Sequence, residues 1–378
     1  MKILFISNII GKKVGSFSMA SIMAARELDI EYHMAANFNN STEEQMQADQ
    51  RDYGITLHHI DFVRSPFDIR NRKAFHQVVE LIYKEKIDAI HCNTPIGGLI
   101  GRLAGKKCRV NKVIYQAHGF HFYKGAPLKN WVLFYPIERL LAHLTDSIIT
   151  INNEDYALAK RFHLRKHGKV YYVPGVGIDL NKYQIKIGKR EIIRQDFCIP
   201  DNGYAIISVG ELNENKNHSI IIKALKLIKK ENVHYFLCGK GPLEKDLTEL
   251  AISEGVSDKI HFLGYRTDVD SILNGMDIYV MPSFREGLSR SLMEAMACGL
   301  PCVVSNIRGN EDLIISEKGG FLCDATRPEQ FAEAIDLLIS RPELIKKYGS
   351  FNRDKIKEFS MEAVTERIKN IYKMSFDV

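Results

Sequence analysis

Residues 278–305 read IYVMPSFREGLSRSLMEAMACGLPCVVS. The runs 278–281 and 301–305 are short and apolar, as buried strands are. Between them Leu288, Leu292, Ala295 and Met296 recur at helical spacing, and Gly299 is a natural C-terminal stop. Strand, loop, helix, strand is a parallel crossover. In open parallel sheets ligands bind beyond the carboxyl ends of the strands, where helix N-termini aim free N–H groups at anions. Arg285, Glu286, Gly287, Leu288 and Ser289 hold that position, so the loop reads as a receiver of a phosphorylated ligand. Glu286 stands before the helix and Glu294 two turns on. Ser291 and Glu294 also spell S-x-x-E, a capping box, which leaves open that Glu294 only ties down its own helix. Glu286 taken alone reads equally well as a surface carboxylate.

The same alternation runs along the whole chain. Strand candidates are 2–7, 32–36, 55–59, 89–92, 112–117 and 147–151 in the first half, then 204–209, 234–238, 259–262, 278–281 and 301–305, with helical patterns between. It breaks at residues 173–203, a polar stretch marked by Gly and Pro that suits a linker. At 378 residues the chain exceeds one ordinary core. We therefore expect two doubly wound α/β domains, 1–180 and 181–360, facing across a cleft, with 361–378 as a helix returning to the first.

Composition narrows the function. No apolar run reaches the length of a membrane span, and MKILFISN reads as a first strand rather than a signal peptide. Seven cysteines lie scattered without C-x-x-C pairs, which suits reduced thiols in a cytoplasmic protein and suggests no zinc site. Residues 1–180 carry 24 Lys and Arg against 17 Asp and Glu, and the remainder carries 28 against 29. An anionic partner for the first half follows. With no nucleic-acid-binding motif present, a phosphorylated acceptor or an anionic membrane surface fits better than nucleic acid. After the first strand, Gly11 and Gly15 do not complete G-x-G-x-x-G, and CGKGPLEKD lacks Walker spacing. Gly15 remains a candidate for an acceptor or phosphate loop.

Each strand end in the second half carries a polar or glycine-rich turn. GELNENKNH follows Val209, where Gly210 permits a tight turn and Lys216 and Asn217 precede a helix; a lysine there reaches a phosphate, or is simply solvated. GKGPLEKD follows Cys238, and Gly239 and Gly241 let a flat base or ribose approach. LGYRTDV follows Phe262, with Tyr265 and Arg266 placed to flank a base. In the first half, 112–117 ends in HGFHFYKG, which presents His118 at a strand's carboxyl end; structural and functional roles are evenly balanced for it.

Together SVGELNENKNH, LCGKGPL, FLGYRTDV, MPSFREGLSRSLMEAMACGLPCVVS and AHGFHFY resemble glycosyltransferase family four, and within it the bacterial exopolysaccharide and capsule-assembly members. The resemblance spans essentially the whole chain. It implies a GT-B fold, a nucleotide-sugar donor held by the C-terminal domain, and retention of anomeric configuration. It assigns Glu294 to the donor's ribose hydroxyls and Glu286 to the transferred sugar. The amides of Gly287, Leu288 and Ser289 go to its phosphates and hydroxyls, Lys216 to the diphosphate, and His118 to the sugar and acceptor. One departure stands out: the family often has arginine after the first loop's glycine, where this chain has Glu211, with Arg290 or Lys240 as candidate substitutes.

The resulting expectation is transfer of a sugar, favouring a UDP-sugar donor, to a lipid-linked oligosaccharide, with no cofactor and no metal. The rivals are a sugar-nucleotide epimerase of the same fold and a catalytically silent partner subunit. Asp268 and Asp270 spell D-x-D, but the pattern around Val269, Ile272 and Leu273 puts them at a helix start, where aspartates suit the cap and the dipole. In the segment 125–144, Trp131, Phe134 and Tyr135 beside Lys124 and Lys129 suit a membrane interface, and an ordinary packed helix equally; Pro136 should kink or end it.

Overall fold

The computed structural model describes residues 1–66 and 68–376, and its backbone resolves into two compact units, Met1–Gly177 with the chain from Met361 on, and Ile178–Ser360. Residues 377 and 378, the end of the expected terminal helix, lie outside the described residues; the helix itself runs Met361–Phe376.

The first unit is built on seven parallel strands: β1 Lys2–Ile9, β2 Glu31–Asn37, β3 Thr56–His59, β4 Ala89–Asn93, β5 Lys112–Ala117, β6 Ser147–Thr150 and β7 Lys169–Tyr172. Their order is β3-β2-β1-β4-β5-β6-β7. The central strands are buried on both faces, so they read as near-continuous apolar runs rather than alternating ones. One face packs Leu4, Ile6, Ile90 and Val113 beneath the helices 71–85, 95–107 and 128–142. The other packs Ile3, Phe5, Met34 and Ile114 against the helix Ser16–Glu27 and the terminal helix, through Val364, Ile368 and Tyr372.

The second unit repeats the design with six strands: β8 Tyr204–Val209, β9 Val233–Cys238, β10 Ile260–Gly264, β11 Ile278–Met281, β12 Cys302–Ser305 and β13 Gly320–Cys323, in the order β10-β9-β8-β11-β12-β13. Chain order reverses direction between β1 and β4 in one sheet and between β8 and β11 in the other. Such a turning point opens a crevice at the strands' carboxyl ends.

Three expectations need correction. The stretch 173–203 is not a bare linker: Lys189–Asp196 is a helix whose Ile193 is buried, and Arg190 and Arg194 clasp Asp277 at 2.5 and 3.1 Å. Charge hid it, because its apolar side is barely one turn long. The four-residue strands β7 and β13 went unread; both are sheet edges, where short strands carry little pattern. Pro136 does not end the helix Leu128–Ala142 but sits inside it. It lies on the exposed side of that helix.

Candidate active site

The loops after β8 and β11 meet across the turning point of the second sheet. Gly210 continues β8, its N–H donating to Cys238 O at 3.0 Å. Asn213 then accepts from the backbone N–H of Lys216 at 3.0 Å, closing a short 3₁₀ turn. That turn delivers the lysine: Lys216 Nζ donates to Glu286 Oε1 at 2.7 Å, with the two side chains 20% and 14% exposed. Two residues singled out for separate tasks thus form one ion pair. Asn215 fastens the same loops by donating from Nδ2 to Arg285 O at 3.0 Å, while Phe284 N–H donates to Asn215 O at 2.8 Å.

Asn217 follows in the left-handed region, φ 53°, and donates from Nδ2 to Pro282 O at 3.1 Å and to Ala325 O at 2.8 Å. Its amide hydrogens are spent on the backbone, so it braces the loop. His218 is buried and burial pulls its pKa down to about 4, leaving a neutral ring between Tyr235 Oη at 3.1 Å and Glu211 O at 3.3 Å. Glu211 itself is exposed and accepts from Asn213 Nδ2 at 3.0 Å.

The glycines of the neighbouring loop serve contact between loops. A Cβ on Gly239 would stand 1.8 Å from Gly210 O, and one on Gly241 2.3 Å from Leu212 O. No larger residue fits either position, whatever ligand approaches.

The helix Arg290–Ala297 begins at Ser289, whose Oγ accepts from Leu292 N–H at 3.3 Å. The capping box through Ser291 is therefore not formed. Ser291 Oγ instead accepts from Tyr279 Oη at 2.8 Å. Freed from capping, Glu294 is buried inside the helix, and Arg290 Nε donates to its Oε1 at 2.9 Å. Tyr183 also hydrogen-bonds Glu294, and burial first, then that carboxylate, pushes the Tyr183 hydroxyl's pKa up. Tyr183 lies in the stretch read as linker, which is why sequence reasoning passed over it. Gly287 and Leu288 complete the loop: Gly309, at φ 82°, comes so close that a Cβ there would sit 2.4 Å from Gly287 O. The buried Arg308 donates from Nε to Glu286 O at 3.3 Å, a cation with no distinctive sequence pattern around it.

Tyr265 and Arg266 stand apart from this group. They follow the edge strand β10, two strands from the turning point; Tyr265 is 75% exposed and Arg266 forms a two-pronged pair with Asp268 at 2.8 and 2.6 Å. Lys240 runs alongside, its Cε 3.5 Å from where a Cβ on Gly264 would be. Asp268 is the N-cap residue of Val269–Gly275, but its side chain makes no cap hydrogen bond because Arg266 holds it, which also lowers its pKa. Asp270 is paired with Lys186.

In the first unit, His118 follows β5. Both its ring nitrogens are buried without a hydrogen-bond partner, and burial lowers its pKa to about 4. Phe17 stands edge-on to it, ring centroids 5.0 Å apart, in the helix that Gly15 precedes as N-cap. No Cβ on Gly15 would meet anything within 4 Å. Three further groups, missed by sequence reasoning, share the carboxyl ends of β1 and β4: Asn8 Oδ1, Asn93 Nδ2 and Thr94 Oγ1, each buried and unpartnered. Register sets them side by side, since Ile6 pairs Cys92 and Asn93 pairs Gln116, two residues before His118. Thr94 adopts φ 66°, a conformation that costs a β-branched residue about 1–3 kcal/mol and clusters at functional sites. Polar residues at strand ends were the only signal available for them.

Comparison with known proteins fits this geometry. The family model of group 1 glycosyl transferases matches residues 189–355, and the glycosyl transferase 4-like model matches 16–152. The putative glycosyltransferase EpsD of Bacillus subtilis (strain 168) is 34% identical over 320 residues, covering 83% of this chain and 84% of its own. An Escherichia coli UDP-Gal:alpha-D-GlcNAc-diphosphoundecaprenol alpha-1,3-galactosyltransferase is 29% identical over 311 residues, 80% of each chain. Among solved structures, Anabaena HepE in complex with UDP and glucose shares the fold with a TM-score of 0.80 at 20% identity, over 99% of this chain and 100% of that one. The chain belongs to glycosyltransferase family four and is a sugar-transferring enzyme of the GT-B fold.

Proposed function

We propose that the enzyme transfers a sugar from a UDP-sugar to a growing, lipid-linked oligosaccharide in surface-polysaccharide synthesis, with retention of configuration and without a metal. The Lys216–Glu286 pair at the β8/β11 turning point carries the reading. A departing nucleoside diphosphate gains negative charge, and a fixed cation beside a helix N-terminus stabilises that charge without reorganising. Glu286, oriented by Lys216, accepts from hydroxyls of the transferred sugar. Glu294, held by Arg290 and Tyr183, accepts from the ribose. His118, neutral through burial, hydrogen-bonds a hydroxyl rather than shuttling a proton.

Relatives support the finer choices. The Escherichia coli relative is named for UDP-Gal and a diphosphoundecaprenol acceptor, and a Campylobacter jejuni relative, 24% identical over 357 residues, for a diphospho-undecaprenol acceptor. Both names specify an alpha-1,3 product, which retention gives from an α-linked donor. A lipid-linked acceptor brings the enzyme to the cytoplasmic face of a membrane, and the basic first unit suits an anionic one. Among the described residues no helix is long and apolar enough to cross it.

A thermal-shift screen over UDP-, GDP- and ADP-sugars tests the donor, and stabilisation confined to another nucleotide rejects UDP. Incubation with and without a diphospholipid-linked sugar then tests the reaction. Conversion of the donor sugar without acceptor means an epimerase; donor binding with no turnover on any acceptor means a silent subunit, the reading that Glu211 keeps alive.

A further inference from the structure

Phe17 stands where the core makes no use of its ring. It is the second residue of the helix Ser16–Glu27 and is 59% exposed, while its neighbours Ser18 and Ala20 are buried. The ring rests against His118, centroids 5.0 Å apart and planes at 77°, and at that exposure a face of the phenyl group stays open. A single exposed aromatic needs no explanation by itself. Phe17 differs through what it touches. His118 has two buried ring nitrogens without hydrogen-bond partners. Asn8 Oδ1, Asn93 Nδ2 and Thr94 Oγ1, at the carboxyl ends of β1 and β4, are buried and unpartnered as well, and the whole of Asn93 is buried. The loop that leads into the helix is open: a Cβ on Gly11 or Gly15 would meet nothing within 4 Å.

The class of ligand follows from this pairing. An aromatic ring has a negative face, which attracts the weakly positive C–H groups of a flat apolar surface. Neutral donors and acceptors that the fold leaves unpaired recover their cost on hydroxyls. An apolar wall with a few placed polar groups is the general build of a small-molecule site. A pyranose meets both demands, with C–H groups on its faces and hydroxyls around its rim. On the sugar-transfer reading, the donor's sugar is tethered through its diphosphate to the second unit. The sugar that has to be held by its own ring is the acceptor's.

We propose that Phe17 is the platform on which the acceptor's terminal sugar stacks, its C–H face on the phenyl ring and its hydroxyls on His118 and Asn93. The proposal rests on the sugar-transfer reading for the identity of that sugar.

Saturation-transfer NMR reads the contact without any transfer of sugar. The probes are the methyl α-glycosides of glucose, galactose and N-acetylglucosamine, offered to the full chain. At least one should take up saturation at its ring C–H protons, and keep it when the nucleotide sugar selected by the thermal-shift screen is in excess. Phe17→Ala should weaken binding of that probe roughly three- to tenfold, the worth of one aromatic contact. Phe17→Trp should bind it as the wild type does. Phe17→Leu should not, because leucine keeps apolar bulk and loses the ring face. All three variants should melt as the wild type does, since the side chain is largely in solvent. In turnover, Phe17→Ala should raise the KM for acceptor by the same factor and leave the KM for the nucleotide sugar unchanged. A wild type that saturates none of the probes overturns the proposal. So does a Phe17→Leu variant with wild-type binding, which would make Phe17 a plain apolar contact. Displacement of the probe by the nucleotide sugar overturns it too, since Phe17 would then hold the donor's sugar. A protein that holds the probes through Phe17 yet moves no sugar to any acceptor counts against the proposed reaction and not against the sugar platform.

Discussion

At the turning point between β8 and β11 the candidate groups are charged and already paired: Lys216 with Glu286, Arg290 with Glu294. At the equivalent place between β1 and β4, and just beyond β5, they are neutral and carry buried atoms without partners: Asn8 Oδ1, Asn93 Nδ2, Thr94 Oγ1 and both ring nitrogens of His118. The difference follows from the cost of burial. An unpaired buried charge is too expensive to keep, so charged groups must satisfy one another until a ligand arrives. A neutral polar group left unpaired costs about 1–3 kcal/mol, which a fold tolerates and a ligand hydroxyl recovers. This contrast supports the proposed reading, in which the second unit receives the diphosphate and the first an uncharged, hydroxyl-rich group.

The largest effect expected from this contrast is at the ion pair. Glu286→Ala should lower transfer by on the order of 100-fold or more, the range for losing one preorganised electrostatic contact. UDP affinity should stay within a few-fold, because Lys216 remains and loses only its competitor. Isothermal titration beside a turnover assay separates the two. Parallel losses of binding and rate would show that Glu286 supports the loop rather than the sugar. Lys216→Ala should damage both, since it removes the cation and leaves a mostly buried carboxylate alone.

Next comes the neutral side. His118→Ala should slow transfer by on the order of 30-fold, the worth of a hydrogen bond or two in a buried setting. His118→Gln should recover part of that, since an amide also donates and accepts. With a pKa near 4, His118 contributes no limb to the rate profile between pH 6 and 8. Stability behaves differently. The unfolded histidine takes up its proton near pH 6.5 while the folded one resists until about pH 4. The unfolded state therefore binds more protons in that window, and stability falls as pH drops through it. His118→Gln should flatten that fall in an acid melting series. An unchanged slope would place His118 in a more open setting and weaken the contrast between the units.

Glu294 sharpens the comparison on the charged side. With Ser289 capping the helix, Glu294→Ala should weaken UDP binding by on the order of tenfold, and Ser289→Ala should cost about 1 kcal/mol of stability. A Glu294→Ala variant that lost only melting temperature would return Glu294 to a structural role.

The sequence made the strands that flank the turning points visible because their apolar runs are unmistakable, and the helix after β11 carries its own stop at Gly299. It also placed Glu286, Lys216 and His118 in loops at strand ends and Glu294 inside the helix that follows one of them. It could not show that Lys216 and Glu286 touch, because contact between residues seventy positions apart is decided by strand order rather than by local pattern. Tyr183 was hidden in a polar stretch that proves to contain a helix, and Asn217 looked like a ligand group because its backbone partners, Pro282 and Ala325, are remote in sequence.

The smallest expected effect concerns metal. Asp268 and Asp270 have the spacing of a cation-binding pair, yet each is engaged by its own cation, Arg266 and Lys186. They lie on the connection from β10, an edge strand, to β11, and no hydrogen bond joins them to Lys216 or Glu286 among the described residues. On the proposed reading, neutralising a diphosphate at the turning point falls to Lys216 and the helix N-terminus. Turnover should therefore persist in excess EDTA. Asp270→Asn should release Lys186 and cost at most about 1 kcal/mol of stability, as partly exposed pairs do, while donor affinity stays as in the wild type. Activity lost on chelation and restored by Mg²⁺ or Mn²⁺ would mean that the charged unit is incomplete without a cation, and the division between a paired, charged side and a neutral, unpartnered one would have to be redrawn.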